Sequence, residues 1–129
     1  MDYLLDTHVV LWAMYEYDRI PSTVMQILLD EKHRKFVSIA SLWEIAIKNR
    51  IGKLPLPMGI EEIYQGVNLF GYGFSTIDST HIKTYNTPPL LHRDPFDGML
   101  IATTIVENFI LITADENIQK YDVSWVWQQ

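Results

Sequence analysis

Four short apolar runs recur along the chain: Tyr3-Leu4-Leu5, Phe36-Val37-Ser38-Ile39, Phe74-Ser75-Thr76-Ile77 and Phe109-Ile110-Leu111-Ile112. Each has strand length, and each is separated from the next by at least one longer stretch with apolar residues at helical spacing. Strands that alternate with helices cover both faces of a parallel sheet, so the predicted class is α/β.

The intervening stretches carry their own boundaries. Val9 to Met14 is free of breakers and reads as a helix. Pro21-Ser22-Thr23 opens another, with Val24, Ile27 and Leu28 on one face, and it ends in the charged run Asp30 to Lys35, whose basic part Lys32 to Lys35 is read as solvated surface. Ser41 is placed to cap the next helix in a capping box with Glu44, and Gly52 stops that helix after Ile51. Helices follow at Ile60 to Leu69 and Ser79 to Tyr85. Asn86-Thr87-Pro88-Pro89 is irregular. Asp94 as N-cap and Pro95 at the first helical position open a helix through Glu107, and Val123 to Trp127 reads as an edge strand.

A chain of 129 residues is expected to form one domain, residues 1–129, and 48% apolar against 20% charged residues supplies a core and excludes disorder. With no cysteine, disulfides, thiolate zinc sites and a cysteine nucleophile are excluded together. The N-terminus reads Met1-Asp2-Tyr3 with no basic n-region, and no segment is expected to span a bilayer, so a cytoplasmic location is expected. Sixteen acidic and ten basic residues give a net charge of −6, so any contact with nucleic acid must rely on local or metallic positive charge.

Two of the strand-like runs end at an aspartate with a threonine beside it, as Asp6-Thr7 and as Thr113-Ala114-Asp115. Ligands of open parallel sheets bind at the carboxyl ends of the strands. A loop-capping role is the alternative for either aspartate taken alone. Glu44 lies in a helix apolar on nearly every side, where a capping box with Ser41 or a pair with Lys48 competes with a ligand role. Asp97 shares a face with Leu100, Ile101 and Thr104. If Asp6, Glu44, Asp97 and Asp115 converge, each close pair repels by about 4 kcal/mol at an effective dielectric near 20. Divalent cations relieve that repulsion, and an all-oxygen donor set suits Mg²⁺ or Mn²⁺. Such a centre activates water against a phosphodiester without a protein nucleophile.

The segments LLDTHVVLW (residues 4–12), VSIASLWEIAIKNRIGKLPLP (37–57), HRDPFDGMLIAT (92–103) and LITADENIQKY (111–121) together resemble PIN domains, specifically the VapC-type toxin ribonucleases of toxin–antitoxin pairs. The resemblance runs nearly end to end. It implies a three-layer PIN-like fold and a metal-binding, catalytic acidic set of Asp6, Glu44, Asp97 and Asp115. It further implies one or two Mg²⁺ or Mn²⁺ ions, RNA as substrate, a small antitoxin as partner and a homodimer. By the same resemblance Thr7 and Thr113 order water at the metal, and Ser41 lies at the edge of the site. One position departs: Gly98 follows Asp97 where many relatives carry arginine, at a cost of about 1 kcal/mol of helix propensity relative to alanine.

Lys48, Arg50 and Lys53 form a candidate track for RNA phosphates, against a reading as solvated residues at a helix C-terminus. Arg93, beside His92, is a candidate contact for substrate or for an inserted antitoxin peptide, against a structural ion pair. His8 and His81 read as hydrogen-bonding histidines, since no His-rich ligand spacing exists. Two other functions stay open at this stage. LLDTH is faintly similar to the aspartyl nucleophile of haloacid-dehalogenase-like phosphatases, although His8 stands where their second aspartate belongs. A catalytically silent PIN-like module that binds a basic peptide in an acidic cleft is the other.

Overall fold

The computed structural model describes residues 1–55, 59–87 and 93–127. Its strands are β1 (Asp2–Leu5), β2 (Arg34–Ser38), β3 (Gly73–Ser75), β4 (Ile110–Ile112) and β5 (Trp125–Val126). They form one sheet in the order β3-β2-β1-β4-β5, and every neighbouring pair is parallel. The helices are α1 (Thr7–Tyr15), α2 (Ser22–Leu29), α3 (Ile39–Arg50), α4 (Ile60–Leu69), α5 (Ser79–Tyr85), α6 (Pro95–Glu107) and α7 (Glu116–Gln119), with a 3-10 turn at Tyr17–Arg19.

Side chains alternate across the pleat, so the sheet feeds two cores. Tyr3, Leu5, Val37 and Ile112 pack with Val9 and Val10 of α1, Val24 and Leu28 of α2 and Val67 of α4. Leu4 and Leu111 face the other way, onto Leu100 and Ile101 of α6 and Ile118 of α7. The α/β expectation therefore holds as helix, sheet and helix layers. From β1 the chain steps outward to β2 and β3, then returns past β1 to β4 and β5. The order reverses between β1 and β4, and in such sheets the crevice beyond the strand ends opens at that switch point.

Several boundaries differ from the sequence reading. Ser38, the last residue of β2, caps α3 by accepting from the Ala40 N–H at 3.0 Å. Ser41 is therefore inside the helix, and the Ser41–Glu44 capping box does not form. Helix α7 was not anticipated, because four residues are too few to show helical periodicity. Lys35 is buried rather than solvated: its Nζ donates to the Asp30 carbonyl at 2.6 Å and sits 5.6 Å from the centre of the Tyr72 ring.

Gly98 has a structural reason. A Cβ at this position would stand 2.5 Å from Cε1 of Tyr85, so α5 packs onto α6 only where α6 lacks a side chain. Gly98→Ala is therefore expected to destabilise the fold by about 1–3 kcal/mol, despite the better helix propensity of alanine. Urea unfolding measures this, and the loss should shrink in a Tyr85→Leu background; an unchanged or raised midpoint would contradict the packing.

Candidate active centre at the sheet's switch point

Asp6 follows β1 and occupies the N-cap of α1, yet its side chain makes no capping hydrogen bond. It is 3% exposed, and its Oδ2 accepts from the Thr113 hydroxyl at 2.8 Å, which ties the end of β1 to the end of β4. Among the described residues no lysine or arginine pairs with it. Burial pushes its pKa up to about 6; the Thr113 hydrogen bond and the charge of His8 oppose the shift, and the charge of Asp115 adds to it.

Thr113 is a relay. It donates to Asp6 while its oxygen accepts from the Asp115 N–H at 3.0 Å, so one buried hydroxyl sets both strand-end aspartates. Asp115 caps α7 through Oδ1, which accepts from the Asn117 N–H at 2.8 Å. The capping role weighed for a lone aspartate is thus real for Asp115 and absent for Asp6.

A second arm begins at the next residue. Thr7 Oγ1 lies 2.9 Å from Ser41 Oγ and 2.8 Å from Glu44 Oε1. A hydroxyl has one hydrogen and a carboxylate only accepts, so Thr7 donates to Glu44 and accepts from Ser41. The other Glu44 oxygen accepts from Lys48 Nζ at 2.7 Å. The Lys48 pair considered from the sequence is therefore present. That hydrogen bond, with further help from the charges of Asp94 and Asp97, raises the Lys48 pKa, which puts the start of α6 within electrostatic reach of α3. Asp94 caps α6 as expected, accepting from the Phe96 and Asp97 N–H groups at 2.9 and 3.1 Å. Asp97, 8% exposed, sits in the first turn of that helix, where the dipole favours negative charge.

The structure thus brings Asp6, Thr113 and Asp115 together, and Thr7, Ser41, Glu44 and Lys48 together, with the two groups joined at Asp6-Thr7. Arg50 is not part of either: it is the exposed last residue of α3, roughly 200° around the helix axis from Lys48. Arg93 is exposed ahead of Asp94 and makes no ion pair among the described residues. His92 lies outside the described residues. His8 and Lys53 line a small cavity against Glu44 and Lys48, a position for His8 that its sequence context did not suggest. His81 is a hydrogen-bonding histidine, as read: Nδ1 accepts from the Asp78 N–H at 3.0 Å and Nε2 meets Glu107 at 2.8 Å.

Among the described residues no three Asp, Glu or His side chains converge closely enough to enclose a cation as they stand. The donors nonetheless fit one chemically. They are all oxygens, and Asp6 is buried with no lysine or arginine partner among the described residues, while the equally buried Glu44 has one in Lys48.

A parallel sheet with buried carboxylates at its switch point defines a class, the α/β domains that hold polar ligands beyond their strand ends. The chain belongs to the PIN domain family, which matches residues 3–124. Its fold is similar to that of VapBC2 from Rickettsia felis, solved bound to a DNA fragment from its promoter, with TM-score 0.66 and 15% identity over 99% of this chain and 100% of that one. It is also similar to VapBC-1 from nontypeable Haemophilus influenzae, with TM-score 0.65 and 19% identity over 98% and 97% of the two chains. A domain of a functionally unknown protein from Methanocaldococcus jannaschii gives TM-score 0.61 and 16% identity over 99% and 91%. No curated protein matches the chain significantly by sequence.

Proposed function

We propose that this PIN domain is a metal-dependent endoribonuclease and the toxin of a toxin–antitoxin pair. The observation that carries the reading is the buried Asp6 carboxylate, paired with no lysine or arginine among the described residues and fixed through Thr113 to Asp115 at the switch point. Asp6, Asp97 and Asp115 hold Mg²⁺ or Mn²⁺, as one or two ions, and Glu44, already neutralised by Lys48, is the fourth carboxylate at the edge. A cation bound there supplies an activated water and a counter-charge for phosphoryl oxygens. The protein's own part is to fix the oxygens: Thr113 orients Asp6, while Thr7 and Ser41 orient Glu44. Lys48, with Arg93 exposed just ahead of α6, contributes positive charge toward RNA phosphates that an otherwise acidic chain lacks, while Arg50 points away from it.

Structural neighbours that are VapBC complexes support a small antitoxin as the partner. Its natural contact is a basic peptide laid into the acidic cleft. Trp43, 61% exposed and edge-to-face on Phe96, supports a homodimer through α3 and α6. Among the described residues no helix is long and apolar enough to cross a membrane, and action in the cytoplasm is part of the proposal.

One observation favours a catalytically silent peptide-binding module instead, namely that three carboxylates do not converge without a cation. Incubating the purified chain with single-stranded and structured RNA, and with a small phosphoester, in Mg²⁺, Mn²⁺ or chelator separates the readings. Metal-dependent cleavage of RNA alone is expected. Turnover of the small phosphoester would favour a phosphatase, and inertness toward every substrate and metal would favour the silent module.

A further inference from the structure

Beside the acidic centre, α1 and the segment after α3 enclose a groove in two connected parts. The inner part is a cavity of about 150 Å³ whose wall includes Thr7, Glu44, Lys48 and Lys53. The outer part, about 430 Å³, is lined by His8, Trp12, Tyr15, Glu16 and Pro55. His8, Leu11 and Leu54 border both, so the groove is continuous from the proposed reaction centre outward.

We infer that this groove is a nucleotide subsite of the RNA substrate, holding a backbone phosphate at Lys48 and Lys53 and an unstacked base against the aromatic wall, with Glu16 selecting a base that carries an amino group. The inference rests on the ribonuclease reading and deepens it. Lys48 uses one of its three N–H donors on Glu44, and Lys53 is exposed with no ion pair among the described residues, so the inner end presents cationic donors to a phosphate. The His8 and Trp12 rings lie 6.0 Å apart, and Trp12 is held by the Trp127 ring at 5.6 Å and by the Arg19 guanidinium over it at 5.6 Å, which makes this wall a fixed surface. Single-stranded RNA is read by splaying bases onto such rings and contacting their Watson–Crick edges.

Glu16 supplies the discrimination. Its ion pair to Arg19, at 3.6 Å, joins two side chains more than half exposed and holds it weakly. A carboxylate only accepts, so it favours the amino edges of guanine, adenine or cytosine over uracil, which presents two carbonyls around a single N–H.

The test is to sequence the cleavage sites made in a randomised single-stranded RNA by the wild-type chain, Glu16→Gln and Lys53→Ala in Mn²⁺. The wild type should disfavour uracil at one position flanking the cut by about tenfold, a preference Glu16→Gln removes. Lys53→Ala should slow cleavage of every sequence alike and flatten its salt dependence. If RNA is cut but Glu16→Gln keeps the wild-type profile, the subsite is overturned while the nuclease reading stands. If the wild type cuts no RNA with either metal, both are overturned.

Discussion

Asp6→Asn is expected to abolish RNA cleavage and, at the same time, to make the protein more stable near neutral pH. The side chain is 3% exposed, and burial holds its pKa at about 6 against a reference value of 3.8. Below pH 3.8 the carboxyl is neutral in both folded and unfolded chains and costs nothing. Between 3.8 and about 6 the unfolded chain is ionised while the folded one keeps its proton, so stability falls as pH rises. Above about pH 6 both are ionised, and the folded state carries the full penalty, on the order of 3 kcal/mol for a shift of this size. Asparagine keeps an oxygen for the Thr113 hydroxyl and removes the charge. A gain of about 1–3 kcal/mol at pH 7.5 follows, at about 4 °C in Tm per kcal/mol for a chain of this length. The gain should vanish near pH 4. Thermal melts across that range, run beside the cleavage assay, measure both effects; a variant equally or less stable at pH 7.5 would show that Asp6 is a structural group and not one held against its own stability.

The second large effect is stabilisation by divalent cations. Because Asp6 carries an uncompensated charge in the folded chain, Mg²⁺ or Mn²⁺ at a hundred times its Kd should add about 2.7 kcal/mol to stability at pH 7.5. Binding requires the carboxylate without its proton, so the increment should shrink as pH falls through about 6. It should be largely lost in Asp6→Asn. Melting curves in MnCl₂ and in NaCl of matched ionic strength distinguish specific binding from screening. An increment identical at pH 5 and 7.5, or undiminished in the variant, would place the cation elsewhere.

Much of this was legible in the sequence, because strand ends and helix starts are local events. Apolar runs that stop at Asp6 and near Asp115 mark the carboxyl ends of β1 and β4, and Asp94-Pro95 marks the start of α6 through its cap. The relay was not legible: Thr113 and Asp6 stand 107 residues apart, and only the pairing of β1 with β4 makes them neighbours. Ser41 was misassigned as a cap because Ser38 offers the same chemistry three residues earlier, and strand pairing of β2 decides between them. Lys35 looked like part of a charged surface run, yet a backbone carbonyl and an aromatic ring receive it inside. Gly98 looked like a weak helix residue, and its reason lies on another helix, in the ring of Tyr85.

Mn²⁺ binding, followed by electron paramagnetic resonance on the wild type, Asp6→Asn and Asp97→Asn, tests most directly whether the strand-end carboxylates and the start of α6 form one cation centre. The wild type should bind one or two ions, and each variant should bind at least one of them ten times or more weakly, Asp97→Asn while keeping its fold. Equal binding by all three proteins would contradict a shared centre at the switch point.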